Sequence, residues 1–156
     1  MHSSVPPHLH PFLDSHGSLT ALLEKRAGRP LRVQIISEGY QPLDCHTKKI
    51  LGLPVHRPAL AWVREVLLLG SQDRAWVKAR SIFPLPTLFG QAKRLRHLRG
   101  TPIGYVIFKK NRRLPHVRTF FYDEHWGRRT VYQWREHLIL IEERFLSDFC
   151  DFITPP

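Results

Sequence analysis

The feature that most constrains the fold is a pair of apolar runs joined by four turn-forming residues. The first run is Leu60 to Leu69 (LAWVREVLLL) and the second is Arg74 to Phe83 (RAWVKARSIF). Between them stands Gly70-Ser71-Gln72-Asp73, whose residue types favour a tight turn. Two such runs separated by a short turn predict an antiparallel hairpin, and therefore a sheet rather than a helical bundle.

Other segments extend this sheet or cover it. The further strand candidates are 31–38, 117–122, 129–135 and 138–146. Ser18 can cap a helix that Gly28 ends, and residues 87–99 carry leucines at helical spacing. Residues 1–17 hold three prolines and four histidines, so we expect an irregular lead-in there. The 156 residues therefore predict one α+β domain over 18–156, with an antiparallel sheet flanked by helices.

The charge balance widens the range of possible partners. The chain has 24 Lys+Arg against 13 Asp+Glu, a net charge of +11, which fits attraction of nucleic acid, small anions or an anionic membrane surface. The nucleic-acid candidates are the basic stretch 87–99, Lys109, Lys110, Arg112, Arg113 and the aromatic run Phe120-Phe121-Tyr122. A basic run is usually a solvated face, and no helix-turn-helix, RRM, KH or zinc-finger pattern surrounds these residues. We therefore expect no specific nucleic-acid partner.

Several classes of protein are disfavoured by motifs that the sequence lacks. Cys45 and Cys150 lie far apart and predict neither a disulfide framework nor a CxxC metal site. Ten histidines form no recognisable set of metal ligands, so we expect no metal. Residues 1–13 do not have the pattern of a signal peptide, and no apolar run approaches the roughly 18 residues of a membrane span. We expect a cytoplasmic protein.

Charged residues inside apolar strands are the best candidates for a site, because a buried charge is costly without a partner. Period-2 alternation gives three of them: Arg64 beside Trp62 and Val66, Arg80 beside Trp76 and Ile82, and Glu143 beside Ile141 and Phe145. One interpretation is a purely structural arginine–glutamate pair. The other is a pocket for a small carboxylate, since the planar arginine fork grips a carboxylate through two parallel hydrogen bonds.

The order of these segments resembles the chorismate lyase family. The resemblance spans roughly residues 30–147. It is carried by Val33–Tyr40 (VQIISEGY), Trp62–Leu68 (WVREVLL), Ala79–Pro84 (ARSIFP), Gly100–Gly104 (GTPIG), Trp126–Arg129 (WGRR) and Glu143–Leu146 (ERFL). Each piece is short, and it is the set in this order that is specific.

The resemblance implies a function and a fold. Members of this family convert chorismate to 4-hydroxybenzoate and pyruvate, the first step toward ubiquinone in many Gram-negative bacteria. The fold it implies is a single domain in which helical flaps close over a buried ligand site beside an antiparallel sheet. It implies no metal or organic cofactor, chorismate and 4-hydroxybenzoate as the small-molecule partners, and a monomer.

The resemblance also implies site residues. It places the arginine that binds the ring carboxylate at Arg64, with backbone contacts at Ile103 and Ile35. It places the glutamate that contacts the future phenol oxygen at Glu143, and a second arginine, for the enolpyruvyl carboxylate, at Arg80. Arg80 and Glu143 are therefore the predicted catalytic pair, and Arg64, Ile103, Ile35 and Glu143 the predicted substrate-binding set.

Two departures from the family pattern leave alternatives open. Ser147 stands where the family has proline, and the adjacent Glu142 leaves a one-residue ambiguity about which glutamate belongs to the site. A slip of one residue would exchange the two faces of the strand. A non-catalytic protein of the same fold that binds an aromatic acid, and a basic nucleic-acid-binding domain, are the alternative functions.

Overall fold

The computed structural model describes residues 4–88, 90–108 and 113–156. The strands in these residues are β1 (Arg32–Pro42), β2 (Leu60–Leu69), β3 (Ala75–Pro84), β4 (His116–Asp123), β5 (His125–Trp134) and β6 (His137–Phe145). They form a six-stranded sheet in the order β1-β2-β3-β6-β5-β4, and each pair of neighbours is antiparallel. The predicted hairpin is confirmed as β2 and β3.

The helices are short and lie around this sheet. In the described residues they are α1 (His10–Leu13), α2 (Leu19–Ala27), α3 (Cys45–Ile50), α4 (Gly104–Ile107) and α5 (Ser147–Ile153), with 3-10 helices at Pro7–Leu9, Ser71–Asp73, Leu85–Leu88 and Gly90–His97. The caps predicted for α2 are confirmed. The Ala21 N–H donates to Ser18 Oγ at 3.2 Å, and Gly28 ends the helix at φ +73°.

The strand register divides the sheet into two faces, because paired residues project to the same side and successive residues to opposite sides. The face we call inner carries Arg64, Ser81, Glu143 and Arg128. The face we call outer carries Glu65, Arg80, Glu142 and Arg129.

Two apolar clusters cover the inner face. In the first, helices α1, α2 and α5 pack on one end of the sheet, through Leu9, Phe12, Leu13, Leu19, Leu23, Phe149 and Ile153. In the second, the 3-10 helices and α4 pack on the other end, through Leu88, Leu95, Leu98, Ile107 and Phe108. Together these clusters hold most of the buried apolar surface of the described residues, and burial of this kind is the main driving force of folding.

A polar strip crosses the inner face where the two clusters meet. We use this name for Arg64, Ser81, Glu143 and Arg128, all of which are buried. Arg64 and Glu143 have similar neighbours on their strands. Trp62 and Ile141, two positions earlier, pack in the second cluster, and Val66 and Phe145, two positions later, belong to the first. The fold therefore places charged groups between two apolar cores.

The outer face is less covered. Helix α3 leads into a smaller apolar cluster of Leu51, Ala61, Val63, Ile82 and Leu140. Beyond α3 a cleft of about 670 Å³ opens over β4 and β5, where Ile50, Val117, Val131, Leu138 and Arg129 line it. Neither Arg64 nor Glu143 lines this cleft.

Two expectations about local structure need correction. The lead-in 1–17 is not wholly irregular: its described part contains α1 and the Pro7–Leu9 turn of 3-10 helix, and it contributes Leu9, Phe12 and Leu13 to the core. Because these apolar residues lie between prolines and histidines, the sequence shows no clear helical spacing of apolar residues there. In the described part of 87–99 the helical turns are 3-10 rather than α-helical, and they belong to the segments Leu85–Leu88 and Gly90–His97. None of the helices described is long and apolar enough to cross a membrane.

Candidate active site

Arg64 lies at one end of the polar strip and holds the backbone of the covering segment. Its side chain is 1% exposed. Nη2 donates to the carbonyl oxygens of Arg99 at 2.7 Å and Thr101 at 3.1 Å. Since both carbonyls belong to the turn between the Gly90–His97 helix and α4, this one side chain fixes the turn above the sheet.

The guanidinium of Arg64 is only partly satisfied. The nearest carboxylate is Glu38 on β1, with Oε1 3.7 Å from Nε, beyond hydrogen-bond distance. Nε is buried, and no group among the described residues hydrogen-bonds to it. Burial lowers the pKa of Arg64, and the charge of Glu38 opposes that shift. The site therefore contains a desolvated cation with a donor to spare, which is an environment that favours binding an anion.

Ile103 and Ile35, the predicted backbone contacts, lie on two segments adjacent to Arg64: the turn that it holds and the neighbouring strand β1. Ile103 immediately precedes α4, two residues after the Thr101 carbonyl that Arg64 holds, and it packs against the second cluster. Ile35 lies on β1 opposite Val66, beside a bulge between Ile35 and Ser37. A bulge leaves one residue out of the ladder and locally redirects the strand. Both positions are thus close in the fold to Arg64.

Glu143 lies two strands away from Arg64 and forms a buried ion pair with Arg128. Arg128 Nε donates to Glu143 Oε1 at 2.7 Å, and the two side chains are 1% and 10% exposed. Neighbouring strands lie about 4.8 Å apart, so the backbones of β2 and β6 are about 10 Å apart across β3. A single ring with polar groups at opposite ends would fit this interval.

Arg80 and Glu142 lie on the outer face, away from Arg64 and Glu143. Arg80 is within 3.4 Å of Glu65 and 3.7 Å of Glu142, and Arg129 Nη2 is 3.3 Å from Glu142. The structure thus separates the two adjacent glutamates: Glu143 shares a face with Arg64, and Glu142 does not. It also leaves Arg80 out of the set that it brings together.

The placement of Arg80 has a physical cause. Alternation along β3 grouped Arg80 with Trp76, but the ladder between β2 and β3 shifts at this point, from Leu68 opposite Val77 to Leu69 opposite Ala75. Trp76 is therefore displaced and packs into the first cluster on the inner face. Arg80, beyond the shift, projects to the outer face. The prediction that Arg80 shares a face with Trp76 was therefore wrong.

Sequence reasoning assigned no role to Arg128, although it lies in the quoted WGRR segment. Its Nη1 donates to the carbonyl oxygens of Phe12 (2.9 Å), Leu13 (3.3 Å) and Ser15 (3.1 Å) and to Ser15 Oγ (2.8 Å). The sequence did contain a signal for Arg128. Two adjacent arginines on β5 pair with two adjacent glutamates on β6, and alternation places one arginine–glutamate pair on each face of the sheet. The contact to α1 could not be anticipated, because residues 1–17 were expected to be irregular.

The segment that covers the inner face is tied to α2. Tyr105 of α4 donates a short hydrogen bond to the carboxylate of Glu24, and burial with this bond raises the pKa of Tyr105 to about 12. Gly104 lies against the N-terminus of α2: a Cβ there would be 2.7 Å from Ser18 Oγ. A side chain at position 104 would therefore displace the Ser18 hydroxyl that caps α2.

The basic candidates for nucleic-acid binding lie mainly in solvent. Lys93, Arg94 and His97 are exposed, while Leu95 and Leu98 of the same segment are buried. Lys109, Lys110 and Arg112 lie outside the described residues. On the edge strand β4, Phe120 and Tyr122 are exposed. A basic nucleic-acid-binding domain stays the untested alternative, and the geometry of these residues adds no support for it.

In the residues that the structure describes, no group of three or more His, Cys, Asp or Glu side chains is arranged to hold a metal ion. What the polar strip offers is organic recognition: a cation with a spare donor at one end and a carboxylate held by a second arginine at the other. Such a pair can bind a small carboxylic acid that also carries a hydroxyl group.

Comparison with known proteins gives a consistent picture. The family model described as "Chorismate lyase" matches residues 1–151. A protein of Psychrobacter arcticus named "Probable chorismate pyruvate-lyase" is 49% identical over 154 residues, 96% of this chain and 92% of the relative. The similarly named protein of Acinetobacter baylyi is 34% identical over 96% and 88%. "Chorismate pyruvate-lyase" of Pectobacterium atrosepticum is 31% identical over 98% and 85%.

Solved structures are similar at the level of the fold. A GntR-family transcriptional regulator from Bacillus cereus superposes with a TM-score of 0.56 at 12% identity, over 76% of this chain and 92% of the other. The effector domain of PhnF from Mycobacterium smegmatis also gives 0.56, at 14% identity over 86% and 91%. At these identities the likeness concerns the α+β fold alone.

Proposed function

The chain belongs to the chorismate lyase family, and on that premise we propose that it eliminates pyruvate from chorismate at the polar strip of the inner face. The products would be 4-hydroxybenzoate and pyruvate. The observation that carries the proposal is that Arg64 and Glu143, the two charged residues expected to contact opposite ends of the ring, lie on one face between two apolar clusters.

The chemistry suits a protein that mainly positions its substrate. In the elimination, the bond between a ring carbon and the ether oxygen breaks, and the neighbouring carbon that bears the hydroxyl group loses a proton. The ring becomes aromatic, and the leaving enolpyruvate becomes pyruvate. Because aromatisation supplies the driving force, the enzyme has to fix the reactive conformation and stabilise developing charge.

Arg64 is assigned to the ring carboxylate. The spare Nε donor and the desolvated charge support this role, because a carboxylate would satisfy both at once. Its bonds to the Arg99 and Thr101 carbonyls hold the guanidinium and the covering turn in one arrangement. Backbone groups at Ile103 and Ile35 would complete the carboxylate end of the site.

Glu143 is assigned to the hydroxyl end of the ring. Its bond to Arg128 engages Oε1 and leaves Oε2 for the hydroxyl that the product retains as a phenol. A carboxylate is a strong acceptor, and charge-assisted hydrogen bonds of this kind are roughly twice as strong as neutral ones. Glu143 could also receive a proton during the elimination.

Arg80 keeps its predicted role only as an untested expectation. Contact with the enolpyruvyl carboxylate would require a ligand that reaches the outer face, where Arg80 now pairs with Glu65 and Glu142. Replacement of Arg80 by alanine tests this directly. An increase in KM for chorismate of more than about tenfold would support contact with the substrate, because truncating one partner of a charge pair is that costly.

The experiment that tests the proposed function is direct. Purified protein is mixed with chorismate, and 4-hydroxybenzoate and pyruvate are measured together. We expect equal amounts of the two products, without addition of a metal or organic cofactor. A folded protein that releases neither product would contradict the activity.

One alternative is favoured by the same geometry. A pair of groups that recognises a carboxylate at one end and a hydroxyl at the other could hold an aromatic acid without any turnover. Titration with 4-hydroxybenzoate, combined with the turnover assay, distinguishes the two: binding with no lyase activity would favour a non-catalytic binding protein.

The cellular setting is a further part of the proposal. We place the reaction at the first step of ubiquinone biosynthesis, the role implied by the family, in the cytoplasm and carried out by a monomer. The expected partners are the substrate and product, with no specific nucleic acid. Sedimentation of the purified protein would test the monomer, and restoration of ubiquinone in a strain that lacks its own chorismate lyase would test the pathway.

A further inference from the structure

We infer that Arg128 is a positioning residue that orients the Glu143 carboxylate and links it to the N-terminal turn, an inference that rests on the proposed function. Arg128 lies directly opposite Glu143 in the pairing of β5 with β6. Its Nε–H donates to Glu143 Oε1 at 2.7 Å, and its side chain is 1% exposed. The carboxylate therefore has one oxygen fixed before any ligand arrives.

The other end of Arg128 is itself held. Its Nη1 donates to oxygen acceptors of Phe12, Leu13 and Ser15, at distances between 2.8 and 3.3 Å. These acceptors lie in the last turn of α1 and just after it, where carbonyl oxygens carry partial negative charge and favour a cation. The guanidinium thus has acceptors on both sides, and its planar geometry leaves little freedom to rotate.

A second, half-buried arginine reinforces this arrangement. Arg118 of β4 donates from Nη1 to the carbonyls of Leu13 (3.1 Å) and Ser15 (2.6 Å). Burial and the neighbouring charge of Arg128 both lower the pKa of Arg118, so the two cations are held together by these shared acceptors. A continuous set of contacts therefore runs from residues 12–15 through Arg128 to the site glutamate.

The consequence is that Arg128 acts on the reaction through Glu143 without touching the substrate. A displacement of about 1 Å in a catalytic or binding group can cost about 100-fold in rate. Lysine at position 128 would keep the positive charge, but a single ammonium nitrogen cannot contact Glu143 and the α1 carbonyls together in the arginine geometry. Any loss of rate in Arg128→Lys should therefore come from the lost geometry, since the charge is unchanged.

The test compares Arg128→Lys with Arg129→Lys, a matched control on the next residue of β5, which projects to the outer face. For each protein, kcat and KM are measured with chorismate, and Kd is measured for 4-hydroxybenzoate and for benzoate. Benzoate lacks the hydroxyl group that Glu143 would accept. A purely structural defect would weaken both ligands alike, so the ratio of the two affinities reports on Glu143 specifically.

We expect Arg128→Lys to lower kcat about 100-fold and to raise KM by no more than about tenfold, the factor set by the weakened bond to the substrate hydroxyl. We also expect the preference of the wild type for 4-hydroxybenzoate over benzoate, about tenfold or more for a hydrogen bond to a charged group, to be largely lost. Arg129→Lys should keep kcat and the preference within about twofold of the wild type.

Failure of the inference and failure of the proposed function look different. If the wild type prefers 4-hydroxybenzoate and Arg128→Lys retains both that preference and kcat, Arg128 is not a positioning residue, although the proposed function stands. If the wild type does not distinguish the two acids, the role assigned to Glu143 fails, and the inference fails with it.

A measurement on the wild type covers the case in which Arg128→Lys does not fold. The Nε–H resonance of Arg128 can be followed by NMR during titration with each acid. Because its acceptor is Glu143 Oε1, we expect a clear shift with 4-hydroxybenzoate and a much smaller one with benzoate. Equal shifts with the two acids, or no shift with either, would overturn the inference.

Discussion

Two arginine–glutamate pairs lie side by side on the same two strands, one on each face of the sheet. Arg128 and Glu143 pair on the inner face at 2.7 Å, with the arginine side chain 1% exposed. Arg129 and Glu142 pair on the outer face at 3.3 Å, with the arginine side chain 29% exposed. Since both glutamate side chains are 10% exposed, the difference shows that the surrounding apolar clusters, and not the residue types, decide which arginine is isolated from water.

This contrast has an energetic side. Breaking a buried ion pair by removing one partner commonly costs 3–5 kcal/mol, whereas an exposed pair is worth about 0–1 kcal/mol. The inner pair has no solvent to replace a lost partner, while the outer pair has both solvent and Arg80 nearby. The inner face is therefore the place where charge can be used for recognition.

The largest effect should follow from removal of the carboxylate clamp. Arg64→Ala should reduce kcat/KM for chorismate by about 1,000-fold or more and abolish binding of 4-hydroxybenzoate, because loss of a desolvated charge partner costs roughly 2–5 kcal/mol. Isothermal titration and the product assay measure the two effects. Arg129→Ala, on the outer face, is the control, and near-normal turnover by Arg64→Ala would show that the site is assigned wrongly.

The next effect concerns stability, and it sets the two pairs against each other directly. Arg128→Met should lower the free energy of unfolding by about 3–5 kcal/mol, since it leaves Glu143 buried without its partner. Arg129→Met should lower it by no more than about 1 kcal/mol. Urea unfolding of both variants measures the difference. Equal losses would mean that the two faces do not differ in the way described.

Replacement of each of the two glutamates by glutamine extends the comparison of the two faces. Glu143→Gln should lower kcat by about 100-fold or more, the usual contribution of a residue that accepts or transfers a proton. Glu142→Gln should change kcat by less than about threefold. Steady-state kinetics of the pair therefore settle which glutamate belongs to the site, and a larger loss for Glu142→Gln would reverse the assignment.

The sequence predicted the sheet better than the site. Alternation placed Arg64 and Glu143 on apolar faces, and the hairpin and the caps of α2 are confirmed, because these features depend on local patterns. The face of Arg80 was judged partly from Trp76, and a shift in the ladder that the sequence does not reveal displaces Trp76 to the opposite face. Arg128 was missed because four of its five hydrogen bonds go to residues 12–15, in and just after α1, a helix that the surrounding prolines and histidines concealed.

The smallest effect concerns the contact that holds the cover of the inner face. The pKa of Tyr105 is raised to about 12, mainly by burial and then by its bond to Glu24. The stabilising contact is therefore fully present below about pH 10, the ordinary pKa of tyrosine, and is lost as the pH rises through about 12. Tyr105→Phe should be slightly less stable than the wild type near pH 9.

Stability measured across the alkaline range checks this contact. The difference between wild type and Tyr105→Phe should shrink as the pH rises from about 10 to 12, because the wild-type phenol ionises over that interval. Urea unfolding at several pH values gives the difference. A difference that stays constant to the end of this range would show that the Tyr105–Glu24 bond does not contribute.

The most direct test of the account is the crystal structure of the protein with 4-hydroxybenzoate bound. The account predicts the ring against the inner face, its carboxylate on Arg64 and its hydroxyl on Glu143, with Arg128 still paired to the same glutamate. A ring bound in the outer cleft beside Arg129, or one on the inner face whose hydroxyl does not reach Glu143, would contradict it.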